Sequence, residues 1–161
     1  MTIAMCPGSF DPPTNGHIDV VERSSRHFEQ VIVAIVVNPS KEPLFDHNER
    51  VELAQKVLGH LKNVEVMSHE GLLVDLARDR GAKVFVKGLR ALSDVEYELQ
   101  MAQMNAKLSS EIDTLFVATE PKWSFVSSSL VKEVARLGGD VSEMVPDVVN
   151  VALKARFGKG N

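Results

Sequence analysis

The chain has 161 residues, 44% of them hydrophobic and 25% charged, with a formal net charge of -4; this suits one soluble globular domain and excludes the broad cationic field of a general nucleic-acid or membrane-surface binder. No apolar run approaches the roughly 18 residues needed to cross a bilayer, and the one cysteine, Cys6, excludes an internal disulfide or a multi-cysteine metal site. The opening Met1-Thr2-Ile3-Ala4-Met5-Cys6 has no basic region followed by a long apolar stretch, so the expectation is a fold that starts here and a cytoplasmic protein.

Apolar, β-branched segments alternate with helical patterns along the whole chain, as in βαβ units built on a parallel sheet. The first strand is expected at 2–6, followed by a loop with three prolines and a helix over 16–28. A continuous apolar run at 30–37 reads as a strand covered on both faces, and so central, with a helix to follow at 48–58. Strands at 64–68, 83–87 and 114–118 alternate with helices at 72–80, 93–108 and 125–137, and a last helix spans about 147–157 before a frayed tail at 158–161. The fold class is therefore a Rossmann-like, doubly wound five-stranded parallel sheet forming a single domain over 1–161. The 93–108 helix has apolar residues on two sides, including Tyr97, Met101 and Met104, which fits either deep packing or a surface shared with a neighbouring subunit or ligand.

Ligands of such sheets bind at the carboxyl ends of the strands, so the strand exits are where chemistry is expected. The first exit, Pro7-Gly8-Ser9-Phe10-Asp11-Pro12-Pro13-Thr14-Asn15-Gly16-His17, offers a hydroxyl at Ser9 and an imidazole at His17 beside a helix amino end that favours anions. The second places Lys41 after Asn38-Pro39-Ser40, and the fourth, Lys87-Gly88-Leu89-Arg90, sets a point charge and a planar fork around a glycine, in the manner of a phosphate clamp. The fifth, Trp123 to Ser129, ends in three serines, more hydroxyls than one helix cap needs, and reads as an anion site for the β- and γ-phosphates. There is no phosphate loop of the G-x-x-x-x-G-K-[S/T] type and no G-x-G-x-x-G. His27, His47, His60 and His69 lack metal-ligand spacing and read as surface or capping residues, so no metal ligands are assigned.

The first loop, through Thr14-Asn15-Gly16-His17, resembles the nucleotidyltransferase superfamily with the Thr/His-x-Gly-His motif. Together with Lys87-Gly88-Leu89-Arg90, Glu96-Tyr97-Glu98 and Ser127-Ser128-Ser129, it is similar to the phosphopantetheine adenylyltransferase family. That resemblance implies adenylyl transfer from ATP to 4′-phosphopantetheine with Mg²⁺, in a homohexamer, with coenzyme A as a possible product-like inhibitor. It implies acceptor contacts from Ser9, Lys41, Leu73 and Lys87. ATP contacts would come from Ser9, Phe10, His17, Gly88, Leu89, Arg90, Glu98, Trp123, Ser124, Phe125, Val126, Ser127, Ser128 and Ser129. His17 and Lys41 are the candidates for catalysis. The family pattern has threonine at Ser9 and arginine at Lys87; the lysine keeps the charge and loses the bidentate fork. The competing readings are another adenylyl- or cytidylyltransferase of the same fold and a non-catalytic nucleotide-binding module.

Overall fold

The computed structural model describes residues 2–158, Ser93 by its backbone only, so residues 159–161 of the expected tail lie outside the described residues. Strands and helices alternate as β1 (Ile3–Gly8), α1 (Asn15–His27), β2 (Gln30–Val36), α2 (His47–Leu58), β3 (Val64–His69), α3 (Leu73–Arg80), β4 (Ala82–Leu89), α4 (Leu92–Leu108), β5 (Asp113–Ala118), α5 (Ser128–Arg136) and α6 (Asp147–Phe157). All four strand pairings are parallel, in the order β3-β2-β1-β4-β5. β2 is an interior strand with Val31 to Ile35 fully buried, but the middle place belongs to β1.

The two-residue period of β1 and β2 divides the core between two faces. Ala4, Cys6, Val31, Val33 and Ile35 pack with Val20 and Val21 of α1 and with Ala54 and Leu58 of α2. Met5, Ile32 and Ala34 point the other way, to Val74, Leu76 and Ala77 of α3 and to Phe85. A third cluster joins α2, α5 and α6 through Phe45, Leu53, Val131, Val149 and Leu153. No helix among the described residues is long and apolar enough to cross a membrane.

Several boundaries differ from expectation by one to three residues, and two of them have a clear local cause. β1 runs on to Gly8 because Pro7 and Gly8 still pair with Ala34 and Ile35 of β2. The ladder to β4 has ended at Met5, so the missing N–H of Pro7 costs little there. α5 starts three residues later than read, at Ser128, because the Ser127 hydroxyl accepts the Leu130 amide at 3.0 Å and caps the helix. The residues before it include a short 3-10 turn at Pro121–Trp123. The chain leaves β1 towards β2 and returns from β3 to β4 on the other side of β1. The order therefore reverses between β1 and β4, and a crevice opens where those two strands part.

Candidate functional site

His17 sits in the first turn of α1, held by a reciprocal cap. The Thr14 hydroxyl accepts the His17 amide at 3.4 Å, while the Thr14 amide donates to His17 Nδ1 at 3.0 Å. An Nδ1 that accepts carries no proton, so the neutral ring bears its proton on Nε2, which has no protein partner among the described residues. Burial first, and then the nearby cations of Arg90 and Lys87, together push the imidazole down from 6.5 to about 4. The site thus holds a neutral N–H donor close to two positive side chains.

Phe10 supports that ring from one side, with centroids 4.8 Å apart, and adopts a left-handed φ of 48°, an uncommon backbone conformation for an aromatic residue. A side chain on Gly8 would meet the Phe10 ring at 3.0 Å, so the glycine is what lets the ring fold back. Gly88 has a similar steric reason. An added Cβ would lie 2.9 Å from Val20 of α1, so packing against α1 already requires a glycine there, whatever ligand approaches.

Both cations of the fourth exit already have anionic partners. Lys87 Nζ lies 3.2 Å from Glu98 Oε2 of α4, and Arg90 Nε lies 3.2 Å from Asp94 Oδ2. Arg90 Nη1 also donates to the Val126 carbonyl at 2.8 Å, fastening the β4 exit to the loop ahead of α5. Of the three serines, Ser127 is the helix cap and Ser128 donates to the Pro12 carbonyl at 2.8 Å. Ser129 is exposed and its hydroxyl has no partner among the described residues. At α1, the Asn15 amide is used by the Met144 carbonyl and the His17 amide by Thr14, which leaves Gly16 in the first turn for an anion. Trp123 and Phe125 border a groove of about 500 Å³ completed by Lys122, Glu143 and Met144. Trp123 Cβ is also 3.7 Å from where a Gly16 side chain would begin, so groove and His17 turn adjoin.

The structure thus gathers His17, Phe10, Lys87, Arg90, Glu98 and the 123–129 segment around the β1/β4 opening. Ser9 is exposed on the same loop, and Leu73 is half-buried at the start of α3. Lys41 stands apart, exposed in a turn closed by its own amide to the Asn38 carbonyl at 3.1 Å.

Two residues that hold this arrangement escaped the sequence reading. Asp11, 5% exposed, accepts from the Leu44 and Phe45 amides, both at 2.9 Å, and from Lys132 Nζ at 3.0 Å. Arg50, 4% exposed, donates to the carbonyls of Ser9 at 2.9 Å and Val36 at 3.2 Å, tying the first loop to the end of β2. The one available signal was Asp11 itself, a carboxylate between an aromatic residue and two prolines in the loop already singled out.

Comparison with known proteins places the chain in a family. Residues 5–134 match the cytidylyltransferase-like family. Over 158 residues the chain is 52% identical to a phosphopantetheine adenylyltransferase from Heliobacterium modesticaldum, covering 98% of this chain and 94% of the relative. The chain belongs to the phosphopantetheine adenylyltransferase family. A solved structure from Vibrio parahaemolyticus, proposed to be a nicotinate-nucleotide adenylyltransferase, superposes with a TM-score of 0.70 at 20% identity over 95% of this chain and 99% of its own. At that identity the likeness extends to the fold. The cytidylyltransferase-like match runs from β1 into α5 and leaves α6 outside it.

Proposed function

We propose that this protein catalyses the reversible transfer of an adenylyl group from ATP to 4′-phosphopantetheine, giving dephospho-coenzyme A and pyrophosphate, the penultimate step of coenzyme A biosynthesis. Membership of the family supplies the reaction. The observation that carries the mechanism is the Thr14 amide on His17 Nδ1, which reserves the Nε2 proton for a substrate oxygen.

An oxygen of the acceptor's terminal phosphate attacks the α-phosphorus of ATP, and the bond from that phosphorus to the bridging oxygen of pyrophosphate breaks. A phosphate monoester with a second pKa of roughly 6 is already dianionic at neutral pH, so the attack needs no general base. Catalysis is then alignment and electrostatics. His17 donates to an α-phosphoryl oxygen as charge builds, and Lys41 is the second candidate at that phosphate. Lys87 meets the attacking phosphate, with Ser9 and Leu73 along the acceptor. Arg90, Ser129 and the first amides of α5 hold the leaving pyrophosphate, and the Trp123–Phe125 groove receives the nucleoside. Because Lys87 and Arg90 begin paired with carboxylates, each phosphate exchanges one anionic partner for another and does not have to enter a bare cationic pocket.

Among the described residues no group of three or more His, Cys, Asp or Glu converges to hold a metal. Mg²⁺ is assigned to the triphosphate because that group ordinarily carries it with water. The proposed assembly is a homohexamer; what supports self-association, without fixing the number of subunits, is the apolar surface of α4, where Leu92 is 90% and Tyr97 63% exposed, beside a half-exposed Leu115 on β5. Coenzyme A, sharing the product's pantetheine and nucleotide portions, is the expected product-like inhibitor, and the cytoplasm the expected location. The test is mass analysis of a mixture of protein, ATP, Mg²⁺ and 4′-phosphopantetheine. Appearance of dephospho-coenzyme A, and its reconversion by added pyrophosphate, supports the reading; an acceptor recovered unchanged while ATP binds contradicts it.

A further inference from the structure

The segment between β2 and α2 has two fixed feet and an exposed span. At one foot, the Val37 amide donates to the His69 carbonyl at 2.8 Å and Arg50 holds the Val36 carbonyl. At the other, Asp11 takes the Leu44 and Phe45 amides, and Phe45 is buried in the cluster shared with α5 and α6. Residues 38–43 between them are all exposed and carry Lys41.

One residue of α6 grips the second foot from three directions. Arg156 Nη1 donates to the Leu44 carbonyl at 2.7 Å, and its guanidinium lies 5.0 Å from the centroid of the Phe45 ring. Its Nη2 pairs with Glu49, whose other carboxylate oxygen accepts the Asp46 amide at 2.9 Å. Three successive residues, 44 to 46, are thus fastened through a single side chain. A planar fork with a delocalised charge can do this, whereas a lysine could not serve carbonyl, ring and carboxylate together.

We propose that Arg156 is a positioning residue for Lys41, setting where the 38–43 span is launched and so where the Lys41 ammonium can reach. The inference rests on the reading of Lys41 as a substrate contact. It gives α6 a part in the reaction through its hold on the far foot of the β2–α2 segment. The expected consequence is kinetic. A cation displaced by about 1 Å from its productive place loses much of its effect on rate, as much as 100-fold.

The experiment uses the full chain and four proteins: native, Lys41→Ala, Arg156→Gln and the double variant. Two quantities are measured, kcat/KM for 4′-phosphopantetheine and amide hydrogen exchange of residues 38–46. Arg156→Gln is expected to lower kcat/KM about tenfold and Lys41→Ala about 100-fold, with the double variant within about twofold of Lys41→Ala alone. Exchange in 38–46 should quicken in Arg156→Gln while the amides of β1 and β2 stay protected. Losses that multiply in the double variant, or unchanged exchange at 38–46, overturn the inference and leave Lys41's own role standing. A Lys41→Ala enzyme as fast as the native one overturns the reading beneath it, and the inference with it. Should Arg156→Gln not fold, Arg156→Lys carries the same cycle, with a smaller loss expected because it keeps the charge and one donor.

Discussion

Lys87 and Glu98 face each other across β4 and α4, Nζ to Oε2 at 3.2 Å, with side chains 25% and 20% exposed. The lysine assigned to the acceptor phosphate is thereby held in place before that phosphate arrives, and the phosphate must compete with a carboxylate for it. Replacing Glu98 by Gln removes the competitor. Acceptor binding by the Glu98→Gln variant, measured by calorimetry without ATP, is expected to tighten about fivefold, the size of a partly shielded pair. ATP binding is expected to weaken, because Glu98 is also assigned to the nucleotide. Weaker acceptor binding would mean that Glu98 aims Lys87 and does not compete for it.

His17→Ala removes the Nε2 donor, together with the acceptor for the Thr14 amide and the ring packed against Phe10. Turnover should fall about 100- to 1,000-fold, the usual loss of one preorganised donor at a developing anion. The ATP dissociation constant should move by no more than about threefold, since the donor serves the transition state. Equal losses in kcat and ATP affinity contradict this division.

The depressed pKa of His17 has a signed effect on stability. In the unfolded chain an imidazole titrates near 6.5, whereas in the folded protein it stays neutral down to about 4. Between those values the unfolded chain binds a proton that the folded one refuses. The contribution is therefore complete above pH 6.5 and is lost as pH falls towards 4. His17→Asn, which retains an acceptor for the Thr14 amide, should lose less stability between pH 7 and pH 5 than the native protein. Urea midpoints at the two pH values measure this, and identical slopes would show that His17 is not the buried titrating group.

Asp11→Ala strips the acceptor from two backbone amides and the partner from Lys132. With Asp11 5% exposed, the expected destabilisation is about 3 kcal/mol, the lower end of the cost of breaking a buried pair. Chemical denaturation measures it; a change below about 0.5 kcal/mol, typical of a surface site, would contradict the role as a hub.

The order of strands and helices was legible because the buried strands are written as continuous apolar runs and the helices as stripes of a different period. The boundaries at Pro7 and Ser127 were less so. Each depends on a local contest, the residual pairing of Pro7 with β2 and the Ser127 hydroxyl acting as cap, that periodicity does not register. The strand-exit rule brought His17, Lys87, Arg90 and the serine segment to one place. Asp11 and Arg50 were invisible for a different reason. Most of their partners are distant backbone groups, Phe45 lying 34 residues from Asp11 and Ser9 lying 41 from Arg50, and a charged side chain in a sequence carries no mark of such a partner. The same holds for Lys87 and Glu98, which had been assigned to different substrates and prove to be bonded to each other.

The most direct test is pyrophosphate release by the purified protein with ATP and Mg²⁺, run in parallel with 4′-phosphopantetheine, nicotinamide mononucleotide and no acceptor. The account predicts release with phosphopantetheine alone. Release with the mononucleotide instead, or silence in every reaction despite measurable ATP binding, would contradict it.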